Sequence, residues 1–227
     1  LGLDRIEQSV AVMRKSGAGS LRVGCTPALG LSVMPPVVHA FSRRYPQVHV
    51  NLQTVGSHAL REGLLYGLYD VALTTSGISD PQIEAVPLHR SDAVCVLHPG
   101  HPLANRASLH VRDLKDQVLL TLNADDEIHQ QFLGTLQQHR VEAAATVETT
   151  YSVTICMMAA QGTGIGIVNP YVASVFARDL KVLPLRPRCP VEASMALSPQ
   201  SAPSAIAEDF VGLLKAYFRD FGKGKAL

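Results

Sequence analysis

The hydrophobic positions of the first third of the chain change period several times, from short apolar runs to helical stripes and back. Short apolar runs predict strands at 20–25, 48–55 and 70–75, and helical spacing predicts helices at about 28–44 and 57–67. The first of these helices carries its apolar face at Met34, Val37, Val38 and Phe41. Strands and helices that alternate with short connections predict a parallel sheet with helices on both faces.

A second alternation follows a longer predicted strand at 92–99. From there to the end of the chain, the pattern predicts strands at 117–122, 144–150, 165–170, 181–185 and 191–198. It predicts helices at 126–139, 152–162 and 204–221. The helix at 126–139 is predicted to turn four apolar residues inward, Ile128, Phe132, Leu133 and Leu136. Two α/β units joined by long strands predict two lobes with a cleft between them. Ligands of open α/β sheets bind at the carboxyl ends of the strands, which here precede the loops 25–30, 55–58, 122–127, 149–152 and 169–171.

The first fifteen residues form an amphipathic helical pattern, which KSGAG then interrupts. Its apolar positions are Leu3, Ile6, Val10 and Met13. A linker or dimerisation helix and a terminal helix packed on its own domain both fit this pattern.

Composition narrows the class of protein. The chain has 227 residues, 47% hydrophobic and 17% charged, with a formal net charge of +1, which is a globular composition without the basic excess of a nucleic-acid-binding module. Its longest apolar runs fall well short of the roughly 20 residues that a membrane-spanning helix needs. No secretory pattern opens the chain, and because it begins at Leu1 we expect a fragment or a processed form.

Residues for catalysis or metal binding do not cluster in the sequence. The four cysteines form no C-x-x-C pair and are expected to be reduced, in the cytoplasm. The nine histidines include no H-x-x-x-H pair, and no G-x-S-x-G motif occurs. The run GTGIG at 162–166 follows a helix and precedes a strand, so it is predicted to end the helix and not to bind a dinucleotide. We expect no catalytic residue, no metal and no cofactor.

Six pieces of the sequence, in order, carry a family resemblance. They are GSLRVG, Pro35 at the end of a small-residue loop, FSRRYPQVHVNL, EGLLYGLYDVALT, the strand ending in HPGHPLA, and AQGTGIGIVNP. Over about 19–218 the chain resembles the effector-binding domain of LysR-type transcriptional regulators. The resemblance implies an α/β, two-lobed, periplasmic-binding-protein-like fold of type 2, with a mixed sheet in each lobe and two crossover strands. The implied division is the end of a linker helix at 1–18, lobe one at 19–93 plus 193–218, lobe two at 94–192 and a tail at 219–227.

The resemblance also implies partners. It implies a small-molecule effector, a homodimer or, at full length, also a homotetramer, and contact with DNA only through an N-terminal winged helix-turn-helix outside this chain. The IVNP and VETTYSV pieces look most like the branch that senses amino acids and derivatives such as diaminopimelate or opines. A solute-binding protein of a transport system and an enzyme are the alternatives. A secretory signal would favour the transport protein, and acid–base pairs in the cleft would favour the enzyme.

In lobe one, the stretch TPALG brings free N–H groups to a strand end. Thr26, Pro27, Ala28 and Leu29 lie where a strand passes into a helix, whose first N–H groups and dipole favour an anion. The family places a ligand-binding loop here, and a second contact loop at Ser57. Ser57 is also a predicted N-cap, and His58 is either a ligand contact or a solvent-facing helix residue.

In lobe two, candidate residues follow three strands. Thr149 and Thr150 open a helix, where hydroxyls either cap the helix or bind a carboxylate. Asn123, Asp125 and the neighbouring Asp126 could hold an ammonium group, or an aspartate could cap the next helix. Asn169 either binds the ligand or fixes the turn at Pro170.

Assembly follows from the resemblance. In the expected dimer the helix at 28–44 of one copy contacts the helix at 126–139 of its partner. The second helix carries four glutamines that could equally face water, Gln130, Gln131, Gln137 and Gln138. The site is expected to switch by closure of the lobes and not by chemistry.

Overall fold

The computed structural model describes residues 19–221 apart from Ser79 and Asp125. The chain forms two compact units, the first from 19–26, 33–88 and 194–221, and the second from 27–32 and 89–193. The short segment 27–32 therefore groups with the second unit, although the resemblance placed it in lobe one. The predicted helix at 1–18 and the residues 222–227 lie outside the described residues.

The first unit is built on a five-stranded sheet with the strand order β2-β1-β3-β11-β4. The strands are β1 (Ser20–Cys25), β2 (His49–Thr54), β3 (Val71–Thr74), β4 (Ala85–Asp92) and β11 (Pro190–Leu197). The chain leaves the first unit within β4, after Leu88, and returns to it within β11, at Ser194. Its helices are α2 (Met34–Arg44), α3 (Ser57–Leu65) and α7 (Ala205–Phe221).

The second unit contains a six-stranded sheet with the order β6-β10-β5-β9-β7-β8. The strands are β5 (Val94–Leu97), β6 (Leu109–His110), β7 (Val118–Leu122), β8 (Ala145–Thr149), β9 (Ile165–Val168) and β10 (Lys181–Arg186). Its helices are α1 (Pro27–Ser32), α4 (Glu127–Gln138), α5 (Ser152–Ala160), α6 (Pro170–Val175) and a 3-10 helix (Val111–Leu114).

Both sheets contain parallel and antiparallel strands, as the family resemblance implied. The alternation of strands and helices had predicted a parallel sheet. Strand β1 is parallel to β2 and β3, and β7 is parallel to β8 and β9. Strand β11 is antiparallel to β3, and β5 is antiparallel to β9 and β10. Parallel neighbours need a crossover connection, which the helices provide within each α/β unit. The antiparallel pairs, β11 with β3 and β5 with β9 and β10, join strands that are not linked by a single crossover helix.

Two predicted elements and one predicted side-chain orientation need correction. The helix predicted at about 28–44 is two helices, α1 and α2, because Pro35 and Pro36 lack the N–H groups that a continuous helix would bond to the carbonyls four residues earlier. The strand predicted at 92–99 is the end of β4 followed by β5. Leu133, predicted to face inward, is 38% exposed. The periodicity also missed β4, β6 and α6, which are short or half-exposed.

Each unit has its own core. In the first unit the ring of Phe41 on α2 packs edge-on against Phe210 on α7, with 5.3 Å between ring centroids. In the second unit α5 and α6 pack their apolar residues on the central strands, with Ile155, Cys156 and Val172 in one buried cluster. These buried side chains hold the strand ends, and the loops that follow them, in place.

The glycine turn after α5 has the predicted conformation. Gly162 has a φ of +80°, and the N–H of Thr163 bonds the carbonyl of Met158 at 3.1 Å, which ends the helix. A Cβ on Gly164 would lie 2.4 Å from the carbonyl oxygen of Val118. The run therefore turns the chain tightly into β9. No helix within the described residues is long and apolar enough to cross a membrane.

Candidate functional site

Thr26 directly follows the last residue of β1 and has a buried hydroxyl. Its main-chain N–H donates to the carbonyl of Leu73 at 3.0 Å, which extends the pairing of β1 with β3 by one residue. The side chain is only 6% exposed, and its Oγ1 has no hydrogen-bond partner among the described residues. A buried hydroxyl without a partner is unusual, because it has lost its water without gaining a replacement.

The helix α1 follows at once and is short. Pro27 occupies its first position and has no N–H, so Ala28 and Leu29 provide the first free N–H groups of the helix. Leu29 is fully buried and Ala28 packs on the core cluster of the second unit. Ser32 donates its hydroxyl to the carbonyl of Ala28 at 2.6 Å. The loop therefore offers backbone donors with small or buried side chains around them.

Ser57 is not the helix cap that the sequence predicted. The N-cap of α3 is Gly56, whose extended backbone enters the helix, and Ser57 is the first helical residue. Its side chain and that of His58 are exposed. His58 lies one turn from Glu62, with 3.7 Å between Nδ1 and Oε2. Because Ser57 does not cap α3, its hydroxyl is not engaged by the helix end.

In the second unit, the loops after β7 and β8 are joined by side chain and main chain. The amide nitrogen of Asn123 donates to Oγ1 of Thr150 at 3.3 Å, and the main-chain N–H of Asn123 donates to the carbonyl of Thr149 at 3.1 Å. The helix α5 begins after Tyr151, which provides no side-chain cap, so Thr150 pairs with Asn123 and does not cap α5. The structure thus brings these three predicted residues together.

Asp126 has the capping role that competed with ligand binding. Its Oδ1 accepts from the N–H groups of Ile128 and His129 at 2.9 and 3.3 Å, at the start of α4. Burial raises the pKa of this carboxyl, and the two backbone hydrogen bonds lower it less. Asp125, its neighbour, lies outside the described residues.

Asn169 fixes the turn into α6. It is 2% exposed, and its Oδ1 accepts from the N–H of Val172 at 3.0 Å. Its amide nitrogen donates to Oγ of Ser152 at 3.4 Å, so it also joins the loop after β9 to the start of α5. Ser152 is buried and was not among the predicted residues, although its position directly after VETTY could have indicated it.

Sequence reasoning also missed three buried polar residues of the second unit. Tyr171, two residues after Asn169, is fully buried and places its hydroxyl 3.0 Å from Nδ1 of His89. Oγ1 of Thr121 and Nδ1 of His129 are buried without a partner among the described residues, and both side chains line one recess beneath α4. A polar residue inside an otherwise apolar strand, as in VLLTL, is the signal that could have revealed Thr121.

The described residues contain no group of three or more histidine, cysteine or acidic side chains that could hold a metal ion. The four cysteines are buried and free. Burial raises the pKa of Cys25 and Cys189 to about 11, and that of Cys95 and Cys156 to about 12, so these thiols are neutral and unreactive near pH 7. The candidate site is a set of hydroxyls, amides and backbone donors at strand ends, and such groups are suited to hydrogen-bonding a small molecule.

Comparison with known proteins assigns the family. The sequence profile described as the LysR substrate binding domain matches residues 14–219. The chain is 32% identical to the transcriptional activator protein LysR of Escherichia coli K12 over 95% of its length and 70% of that protein. It is 29% identical to the regulatory protein NocR of Agrobacterium tumefaciens T37 over 92% of its length and 70% of that protein.

A solved structure agrees on the fold. The effector-binding domain of BenM with its effector benzoate superposes with a TM-score of 0.74 at 21% identity, covering 91% of this chain and 94% of that one. These relatives do not favour a transport protein, and their family is one of regulators, not of enzymes. The chain belongs to the LysR family of transcriptional regulators and corresponds to the effector-binding domain of these proteins.

Proposed function

We propose that this domain senses a small anionic or amino-acid-like effector at the carboxyl ends of its strands. The residues proposed to contact the effector are those that the sequence singles out at the strand ends. They are Thr26, Pro27, Ala28, Leu29, Ser57, His58, Asn123, Asp125, Thr149, Thr150 and Asn169.

The observation that carries the proposal is the hydroxyl of Thr26. It is buried at the end of β1 and no described residue satisfies it. Leaving a buried polar group unpaired costs about 1–3 kcal/mol, so this arrangement favours an effector atom that completes the hydrogen bond. The N–H groups of Ala28 and Leu29 follow immediately in the chain and add donors for the same group.

The donor set supports an anionic group on the effector. A hydroxyl and backbone N–H groups at a strand end are suited to a carboxylate. Benzoate, the effector in the BenM structure, is a carboxylate. For an amino group, the oxygens of Asn123 and Thr150 are the proposed acceptors, because the carboxylate of Asp126 is already engaged in capping α4. An amino acid or a derivative such as diaminopimelate or an opine has both groups.

Regulation follows from binding that differs between two states of the protein. An effector shifts such an equilibrium only by its differential affinity for the two states. We propose that the effector's contacts favour one state, and that DNA is reached through a winged helix-turn-helix outside this chain, in the cytoplasm. The proposed assembly is a homodimer in which α2 of one copy contacts α4 of its partner, with a tetramer at full length.

The test is a calorimetric titration of the wild-type domain and Thr26→Val with diaminopimelate, an opine and benzoate as probes. We expect a carboxylate probe to bind the wild type, and Thr26→Val to weaken it by about 0.5–1.5 kcal/mol, or about 1.5–3 kcal/mol if the partner is charged. Because valine removes a hydroxyl that no described residue pairs, the free variant should be as stable as the wild type or more stable.

Thr146→Val is the matched control, since Thr146 is exposed on β8 and outside the proposed site. A probe that binds the wild type and Thr26→Val equally would place the site elsewhere. If no probe binds the wild-type domain, the proposed effector class is wrong.

A further inference from the structure

We propose that Tyr171 is a positioning residue that ties the effector loop at Asn169 to the two strands through which the chain passes between its units. The inference rests on the proposed function only in taking Asn169 as part of the effector site. The contacts of Tyr171 itself lie within the second unit.

The phenol of Tyr171 contacts main chain and side chain of distant segments. Its hydroxyl lies 3.0 Å from Nδ1 of His89 and 3.3 Å from the carbonyl oxygen of His89, to which it can donate. The main chain of Ala193 also hydrogen-bonds the phenol. The rings of Tyr171 and His89 meet edge-on, with 5.8 Å between their centroids. One hydroxyl thus contacts residues 82 positions before it and 22 positions after it in the chain.

His89 and Ala193 occupy special places in the chain. His89 is the first residue of the second unit on β4, and Ala193 is the last residue of that unit on β11. The chain has no other long strand through which it passes from one unit to the other within the described residues. A group that hydrogen-bonds both residues therefore acts on β4 and β11 at the two places where these strands pass between the units.

Tyr171 is coupled to the effector loop through the first turn of α6. Asn169 caps this helix by accepting from the N–H of Val172, and Tyr171 lies between these two residues. Because Tyr171 is fully buried and α6 is only six residues long, a displacement of Asn169 moves the phenol with the helix. Burial raises the pKa of Tyr171, so the hydroxyl stays protonated and remains a donor at working pH.

The test compares amide hydrogen exchange, by mass spectrometry, in the ligand-free wild-type domain and in Tyr171→Phe. Removing the hydroxyl while keeping the ring should speed exchange about 2- to 10-fold in peptides from β4, β11 and α6, the ratio expected for one lost hydrogen bond. Peptides from β1 and β2 should be unchanged. Unchanged exchange in β4 and β11 would overturn the proposal.

Two controls separate positioning from general destabilisation. Ile165→Val removes a buried methylene from β9 and should speed exchange through the second unit without singling out β4 and β11. Tyr66→Phe alters a tyrosine that is 76% exposed and should change nothing. If Tyr171→Phe merely reproduces the pattern of Ile165→Val, its role is structural and the proposal is wrong.

A double-mutant cycle tests the transmission from the effector loop. Asn169→Ala removes the cap of α6 and should speed exchange in β4 and β11 when Tyr171 is present. It should add little in those strands when combined with Tyr171→Phe, because the connection is already broken. Fully additive effects would refute transmission through Tyr171. None of these measurements uses an effector, so a failure of the proposed effector class leaves their outcome unchanged.

Discussion

A single carboxylate, Asp126, combines helix capping with a dependence on pH. Burial raises its pKa above the ordinary value of about 3.9, so in the folded protein the charged form is disfavoured. Below that ordinary value the group is protonated in both the folded and the unfolded state and has no effect on the pH dependence. As the pH rises through the raised folded pKa, the unfolded state ionises more readily and the folded state loses stability.

We therefore predict that Asp126→Asn gains stability relative to the wild type as the pH rises from about 4. Asparagine caps as well as aspartate but has no charge to bury. Urea unfolding of both proteins between pH 4 and 8 measures the difference. Asp126→Ala, the control that removes both the charge and the cap, should be about 1 kcal/mol less stable than Asp126→Asn across the whole range. A wild type that gains stability over Asp126→Asn with rising pH would contradict the assignment.

At the scale of elements, helix ends decide where the loops of the site begin. The helix α5 stops because Gly162 adopts a left-handed conformation, with a φ of +80°. A Cβ there would meet no atom within 4 Å, so the constraint comes from the backbone conformation and not from crowding. Pro35 and Pro36 lie in the first turn of α2 and prevent α1 from continuing into it. Thr26 and the short helix α1 therefore stand by themselves at the strand end.

The predicted cost of Gly162→Ala is about 1–2 kcal/mol, the penalty of a left-handed backbone for a residue with a Cβ. Gly134→Ala is the matched control, because Gly134 lies inside α4 and a Cβ there also meets nothing within 4 Å. This second change should stabilise by about 0.5–1 kcal/mol, since alanine is the better helix former. Chemical denaturation of both variants measures the two signs. A Gly162→Ala protein as stable as the wild type would contradict the argument.

At the scale of the whole molecule, assembly depends on exposed apolar surface. Leu133 on α4 is 38% exposed, and Gln130 and Gln137 on the same helix face are also exposed. The side chain of Leu133, surrounded by glutamines, offers a small apolar surface. In the proposed dimer, α2 of the partner would cover this surface. The four glutamines of α4 are all exposed within one copy, so their role in the dimer stays a prediction.

We predict that Leu133→Glu weakens the dimer, because it places a charge in the interface that would have to be desolvated. Sedimentation velocity over a range of concentrations should show a shift toward the monomer. The control is Leu68→Glu, which changes an even more exposed leucine of the first unit that lies on neither α2 nor α4. Equal sedimentation of Leu133→Glu and the wild type, with the wild type a dimer, would rule out this face.

The family resemblance rests on six pieces of sequence spread over about 19–218. Within short stretches, the sequence by itself determined the α/β alternation and the turn at Gly162, and it offered an aspartate cap before the helix at 126–139 as one of two alternatives. Each of these depends on residues close together in the chain, where periodicity, capping chemistry and backbone freedom act over a few positions. Asn123 and Thr150 were each predicted from a strand end, and the parallel pairing of β7 with β8 brings them together.

Only the tertiary structure decided which polar groups are satisfied and by what. Ser57 was predicted as a cap because serine caps well, but the extended backbone of Gly56 takes that position. The hydroxyl of Thr26 has no partner among the described residues, whereas that of Tyr171 finds one 82 residues earlier in the chain, and no local pattern distinguishes the two. Hydrogen bonds between distant segments depend on the path of the whole chain, which is set by the packing of both sheets and their helices and not by any short stretch of sequence.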